Sequence, residues 1–293
     1  MLVEKITSRQ NPLVKRFRRV RAGSERHHIF LEGVRLIEDA ISADAHFETV
    51  AFTSALETNE RGLRLLGALE SVPCRGAHVS KIVMEAIADT ESPQGVAAIV
   101  SRPYFELQDL FERDLKTIVI ADQLQDPGNL GTIIRTAEAA GADGLVTTRH
   151  TVDPFNHKAL RASMGSALRM PIVTDAKRSD VMKLCRERGL KIVGSRPTPA
   201  RPQGVIEDAA RTETIYIYTE ANFTVPLALI LGKEASGISE DAAAQADEFV
   251  HIPMAEGVES LNVSAAAAIL LYEAARQKAF ASRGRGPGAG GQL

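Results

Sequence analysis

The sequence predicts an α/β protein in two domains, the second built on a sheet of about six mostly parallel strands with helices on both faces. Three observations carry this expectation. Short apolar runs alternate with helical patterns over residues 29–102 and again from residue 117, and a polar stretch without a period, 103–116, separates the two regions. In the second region the strands are unbroken apolar runs such as TIVIA and LALIL, the pattern of parallel sheets covered on both faces. Several of those runs end in Gly, Pro and small polar residues, as strands do where they turn into loops. The expected organisation is therefore a first domain at 1–102, a linker at 103–116, a second domain at 117–281 and a tail at 282–293.

Residues 1–26 carry eight basic residues (Lys5, Arg9, Lys15, Arg16, Arg18, Arg19, Arg21 and Arg26) against Glu4 and Glu25, a balance of +6 in a chain whose formal net charge is −2. Such an asymmetry points to a polyanionic partner, and Phe17 within the run fits nucleic acid better than a plain solvated helix face. Lys15, Arg16, Arg18, Arg19 and Arg21 are its candidate contacts. From residue 29 the order is strand HHIFLEG, helix 34–42, strand FETVAFT, helix 59–69, a short strand at 74–78, helix 81–88 and strand 95–102, a small α/β sandwich. His27, His28, His46 and His78 are scattered without metal-ligand spacing. Cys74 and Cys185, the only cysteines, supply neither a disulfide framework nor a metal site. No metal is expected. The N-terminal MLVEKITSRQ has no signal-peptide core, and no apolar run approaches the roughly 18 residues of a membrane helix, so a cytoplasmic location is expected.

The second region opens on TIVIAD, then the loop DQLQDPGN, then a helix at 130–140 closed by Gly141. Strands follow at GLVTT, PIVTD, KIVGS, TIYIYT, LALILG and FVHIP, with helices at 156–168, 178–189 and 239–247 and a long Ala- and Leu-rich helix from 265 to 275. Three strand ends carry polar residues. In the first, Asn129 can cap the helix, and Arg135 sits among Ile133 and Ile134, which suggests a partly buried cation in need of an anion. In the second, Gly232 and Gly237 let backbone approach a ligand, and Glu234 is a natural partner for Arg135. In the third, Ser260, Asn262 and Ser264 cluster between a buried strand and the long helix. One hydroxyl there is explained as an N-cap, but the cluster exceeds what a cap needs and suits a ligand site. His251, in the preceding strand, reads as structural. The tail contains Gly286-x-Gly288-x-x-Gly291 with no strand before it and no helix after it, so it carries no dinucleotide signal.

NLGTIIRTAEAAGADGL, LILGKEASGIS and IPMAEGVESLNVSAAAAILLYEA, in this order and spacing, resemble the three motifs of the SpoU (TrmH-type) RNA 2′-O-ribose methyltransferases, and cover most of 117–280. Phe30-Leu31-Glu32-Gly33 and Ser92-Pro93-Gln94-Gly95-Val96 resemble weaker signatures of that family's substrate-binding domain, a fold like ribosomal protein L30e. Lys233, where Asn is frequent, and Met170 before Pro171 are small departures. The resemblance implies a SPOUT-type α/β fold with a deep trefoil knot, S-adenosylmethionine as cofactor, and a homodimer with a shared active site. By motif match, Gly232, Ile252 and Leu261 would hold the cofactor largely through backbone, with Met254 nearby. Asn129, Arg135, Glu234, Ser260 and Asn262 would surround the reaction centre. Asn156, Lys158, Arg161 and Ser163, in NHKALRASMG, match a further segment close to the RNA or the dimer contact.

The chemistry suits these residue types. A ribose 2′-OH must lose a proton as it attacks a sulfonium methyl, and a positioned base contributes about 10²–10⁴-fold to such a step. No histidine is suitably placed, and a free guanidinium is a very weak base. Arg135 is therefore read as acting with a neighbouring phosphate, Ser260 and Asn262 as orienting groups. The expected substrate is 23S ribosomal RNA, with transfer RNA as the alternative. A non-catalytic RNA-binding or ribosome-assembly protein of the same fold is a rival that intact Arg135, Ser260 and Asn262 disfavour. A nicotinamide enzyme would need G-x-G-x-x-G after the first strand, where DQLQDPGNLG stands instead.

Overall fold

A computed structural model describes residues 2–197, 204–208, 211–233 and 237–283. Its contacts group the chain into two units, Met1–Tyr104 with Asp153–Arg169, and Phe105–Val152 with Met170–Leu293.

The first unit runs β1 (Leu2–Ile6), α1 (Pro12–Arg21), β2 (His28–Glu32), α2 (Val34–Ser42), β3 (Phe47–Phe52), a 3-10 turn (Ser54–Thr58), α3 (Glu60–Glu70), β4 (Arg75–Val79), α4 (Lys81–Ile87) and β5 (Val96–Ser101). The sheet order is β1-β4-β3-β5-β2; β1, β4 and β3 are parallel, and β5 is antiparallel to both its neighbours. Asn11 caps α1, accepting from the Leu13 amide at 2.8 Å, and Pro12 takes the first turn, where its missing N–H costs nothing. The helix buries Leu13, Val14, Phe17 and Val20, and the Phe17 ring meets Phe30 edge-on at 6.4 Å. Phe17 is thus core, and its place in the basic run is no sign of base stacking.

The two weaker signatures of this unit hold each other. Gln94 Oε1 accepts from the amide of Val34 at 2.9 Å, capping α2, whose preceding Gly33 has φ of 97°, and a Cβ there would lie 3.0 Å from that same oxygen. Glu32 Oε2 accepts from the amides of Asp89 and Thr90 at 2.7 and 3.3 Å, fixing the segment that leads to Gln94. Both motifs therefore have a structural reason to exist.

The second unit contains α5 (Leu107–Phe111), β6 (Thr117–Ala121), α6 (Pro127–Ala139) and β7 (Gly144–Thr148). The chain then contributes α7 (His157–Ser163) and α8 (Ser166–Arg169) to the first unit. It returns as β8 (Ile172–Ala176), α9 (Arg178–Glu187), β9 (Lys191–Ser195), β10 (Gly204–Asp208), β11 (Arg211–Ile217), β12 (Leu227–Leu231), α10 (Glu240–Ala243), β13 (Glu248–His251) and α11 (Val263–Arg283). Among the described residues the sheet has eight strands, in the order β10-β11-β13-β9-β12-β6-β7-β8. All neighbours are parallel except β10, which folds back on β11. The expected figure of about six is low: the seven runs named from TIVIA to FVHIP all form strands, and β10 adds an eighth. Leu110 and Phe111 of α5 are at most 1% exposed in the core, so the polar stretch read as linker holds a buried turn of helix whose short length hides its period.

The helix expected at 156–168 is two, broken where Met164 and Gly165 take φ of 51° and 82°. The final helix is longer than its Ala-rich centre, running 21 residues to Arg283. Of the tail expected from 282, Ser282 and Arg283 belong to this helix, and the rest, with Gly286, Gly288 and Gly291, lies outside the described residues. No described helix is long and apolar enough to cross a membrane, and the described residues hold no His/Cys/Asp/Glu group that could bind a metal.

Candidate functional site

Parallel strands put their carboxyl ends on one edge of a sheet, where ligands of α/β proteins sit. Strands β9, β12 and β13 share such an edge here. The residues that follow them, Ser195–Pro197, Gly232–Lys233 with Gly237, and Ile252–Met254, enclose a pocket open to solvent. Ser260 and Leu261 form part of its rim, and Val263, Ala266 and Leu270 of α11 form an apolar wall. Its cavity volume is about 70 Å³. The four residues assigned to the cofactor, Gly232, Ile252, Met254 and Leu261, come together in this pocket, and Ser260 joins them.

Gly232 is a requirement of packing. A Cβ on it would lie 2.2 Å from the carbonyl oxygen of Gly237, because the chain returns against itself: the Lys233 amide donates to Gly237 O at 2.9 Å and the Gly237 amide to Lys233 O at 2.8 Å. Gly237 itself has φ of 66°. Glu234, between these two stems, lies outside the described residues.

Asn129 and Asn262, 133 residues apart, meet: Asn262 Nδ2 donates to Asn129 Oδ1 at 3.0 Å. Asn262 also does the capping at α11, its Oδ1 accepting from the amide and hydroxyl of Ser264 at 2.9 and 2.6 Å, so the cap is the amide and not a serine. The expectation that Asn129 caps α6 is corrected in the same way. Asp126 is the cap, accepting from the Asn129 amide at 2.7 Å, which leaves the Asn129 side chain to reach Asn262.

Arg135 departs from its expected burial. It lies on the exposed side of α6, between turns whose Ile133, Ile134 and Ala137 are fully buried, and no described carboxylate pairs with it. Neighbours in sequence sit 100° apart on a helix, so flanking apolar residues do not bury the residue beside them.

The basic candidates divide. Arg16 binds Glu48 and Glu25, and its bonds hold the Glu48 carboxyl below its ordinary range. Arg18 Nε donates to Ala86 O at 3.0 Å and Arg21 Nη1 to Ile87 O at 3.1 Å, closing the C-terminal end of α4. Arg161 pairs with Asp89 at 3.1 Å. Arg19 touches Glu25 yet stays largely exposed, and Lys15 and Lys158 are exposed. Asn156 caps α7, accepting from the amides of Lys158 and Ala159, and Ser163 is buried with its hydroxyl on Leu160 O.

Sequence reasoning passed over Asp122, which follows β6 and is 1% exposed. Its Oδ1 accepts from Arg178 Nε and Nη2 at 3.0 and 2.8 Å and from the Thr148 hydroxyl at 3.0 Å, and its Oδ2 from the Ser239 amide at 3.0 Å. Burial pushes the carboxyl up, but the bonds from Ser239 and Arg178 outweigh it and hold the group below the usual carboxylate range. A carboxylate closing the apolar run TIVIA was the available signal.

Residues 116–272 match the model of the SpoU rRNA Methylase family, and residues 4–98 that of an MRM3-like substrate binding domain. The chain is 33% identical over 283 residues to an uncharacterized tRNA/rRNA methyltransferase of Synechocystis sp., spanning 96% of each chain. It is 31% identical over 274 residues to the 23S rRNA (guanosine(2553)-2′-O)-methyltransferase of Bacillus subtilis, spanning 92% of this chain and 98% of the relative. The AdoMet-bound crystal structure of an rRNA methyltransferase from Sinorhizobium meliloti superposes with a TM-score of 0.79 at 29% identity, over 94% of this chain and 98% of that one.

Proposed function

The chain belongs to the SpoU rRNA methylase family, and from that premise we propose that the pocket beside α11 holds S-adenosylmethionine and that Arg135, Asn129, Glu234, Ser260 and Asn262 serve methyl transfer to a ribose 2′-OH of ribosomal RNA, in 23S RNA by preference. The enzyme is an S-adenosylmethionine-dependent RNA 2′-O-methyltransferase. The observation that carries the site assignment is the junction of Asn129 with Asn262 next to a pocket lined by Gly232, Ile252, Met254 and Leu261.

The residues present fit the cofactor. Apolar side chains of α11 suit a flat base, and backbone from three strand ends offers amide and carbonyl groups. When bound, S-adenosylmethionine supplies an electrophilic methyl on sulfur. The chain's own residues orient the acceptor. The Asn129–Asn262 pair fixes two amides at the start of α6 and α11, with Ser260 on the pocket rim. Bringing the reacting atoms into line this way supplies much of the acceleration. An exposed Arg135 with no described carboxylate beside it is open to an anion, which favours holding an RNA phosphate against the ribose so that the phosphate takes the hydroxyl proton.

The first unit serves as an L30e-like RNA-holding domain, with Lys15 and Lys158 as exposed cations and Arg19, beside Glu25, still largely open to solvent. Arg16, Arg18, Arg21 and Arg161, already engaged within the unit, contribute to the surface field rather than as direct contacts. The enzyme works as a homodimer through the methyltransferase unit, where α11 leaves Tyr272 and Phe280 more than half exposed. The trefoil knot implied by the resemblance belongs to the same reading. Ribosomal RNA as substrate puts the enzyme in the cytoplasm.

The test is transfer of labelled methyl from S-adenosylmethionine to total RNA by wild type and Arg135→Ala, with the position mapped by 2′-O-methyl-sensitive hydrolysis. One labelled ribosomal position with wild type, and a loss of about a hundredfold or more with the variant, is the expected result. An unchanged rate in Arg135→Ala removes Arg135 from the site; label confined to transfer RNA replaces the substrate.

A further inference from the structure

Asp122 stands where the two stems of the Gly232 loop can both be held from one residue. Its backbone amide donates to the carbonyl of Leu231, the residue before Gly232, at 2.8 Å. Its carboxylate accepts from the amide of Ser239, two residues past Gly237, at 3.0 Å. Between these anchors the Lys233 and Gly237 backbones are bonded to each other, so the spacing of the stems is set at their base and passes to the pocket wall formed by Gly232, Lys233 and Gly237. Arg178 braces the anchor from α9, holding Asp122 by two nitrogens while its third reaches Asp241 of α10 at 3.4 Å.

A charge in this position is a poor choice for stability alone. Taking a carboxylate and a guanidinium out of water costs several kcal/mol, and well-packed apolar groups often serve as well or better. What the charge adds is geometry, since four donors converge on two oxygens and hold the stem at Ser239 to the end of β6. We infer that Asp122 is a positioning residue for the cofactor pocket, and that by holding both stems of the Gly232 loop it sets the affinity for S-adenosylmethionine. This rests on the reading of the pocket given above.

The experiment is equilibrium binding of S-adenosylmethionine by titration calorimetry, with thermal unfolding and initial methyl-transfer rates measured on the same preparations. Three variants are compared with wild type. Asp122→Asn removes the charge. Ser239→Pro removes the amide donor and, with the hydroxyl, the cap of α10 on the Ala242 amide, and leaves Asp122 with Arg178; the backbone φ of −64° at Ser239 is one that proline adopts. Ala266→Phe fills the pocket from α11 and reports on the pocket itself. Asp122→Asn and Ser239→Pro should each raise Kd by about tenfold or more, and raise KM for the cofactor likewise, with kcat at saturation within about twofold of wild type. Ala266→Phe should lose binding. Wild-type Kd in folded Ser239→Pro, with binding lost in Ala266→Phe, overturns the inference and spares the pocket. Wild-type Kd in Ala266→Phe overturns both. If Asp122→Asn fails to fold, Ser239→Pro still decides. A lower Tm with unchanged Kd means that the clamp is structural only, and the inference is wrong.

Discussion

In the first unit, charged side chains mostly meet one another: Arg16 meets Glu25 and Glu48, Arg61 meets Glu38, Arg102 meets Asp153, and Arg161 and His157 share Asp89. Others close the end of α4. In the second unit the polar groups at the strand ends are left facing solvent, as Arg135, Ser260 and Asn262 are, while the carboxylate of Asp122, 1% exposed, is buried among donors. The contrast teaches that charge density along a chain is a poor guide to where charge is available. The run at 1–26 looks like the molecule's binding surface and is largely occupied. The cation left open on α6 sits in a stretch that reads as apolar.

Four measurements would break or sharpen this contrast. The largest effect is expected from Phe17→Ala, which should cost about 3–5 kcal/mol in denaturant unfolding as a core cavity. A variant as stable as wild type but weak for RNA would return Phe17 to the nucleic-acid surface and undo the contrast. Next, Gly232→Ala places a Cβ against Gly237 O and should destabilise the second unit by about 2 kcal/mol or more, with a rise in Kd for S-adenosylmethionine; the alanine binding like wild type would mean that the stems yield freely.

A smaller effect separates the cations of α1. Arg18→Ala should cost about 1 kcal/mol of stability through the lost bond to Ala86 O. Lys15→Ala with Arg19→Ala should leave stability within about 0.5 kcal/mol and lower RNA affinity with a shallower salt dependence. The reverse pattern would show that α1 spends its charges differently from the geometry seen. The smallest effect is the pH dependence of His251, 2% exposed on β13, whose pKa burial lowers from 6.5. The unfolded chain takes up the proton first, so the contribution of His251 is complete above pH 6.5 and is lost as pH falls below it toward the lowered value. His251→Gln should flatten that part of the stability profile; an unaltered slope would assign it to other groups.

The sequence by itself determined the class of fold, the strand segments from TIVIA to FVHIP in a mostly parallel sheet, and the three polar strand ends. Apolar period and turn residues report directly on which backbone is buried and where it must bend. The resemblance of its three motifs to the family placed Gly232, Ile252, Met254 and Leu261 in one group, and the four line one pocket. Tertiary structure alone decided which polar atoms find each other. Asn129 meets Asn262 across 133 residues, and Asp122 meets Ser239 across 117. Whether Arg18 reaches a phosphate or the end of α4 likewise depends on what packs beside it. Local pattern reports burial of the apolar atoms, which is non-directional and roughly additive. A hydrogen bond is short-ranged and directional, so its partner is settled only when distant segments are brought within about 3 Å.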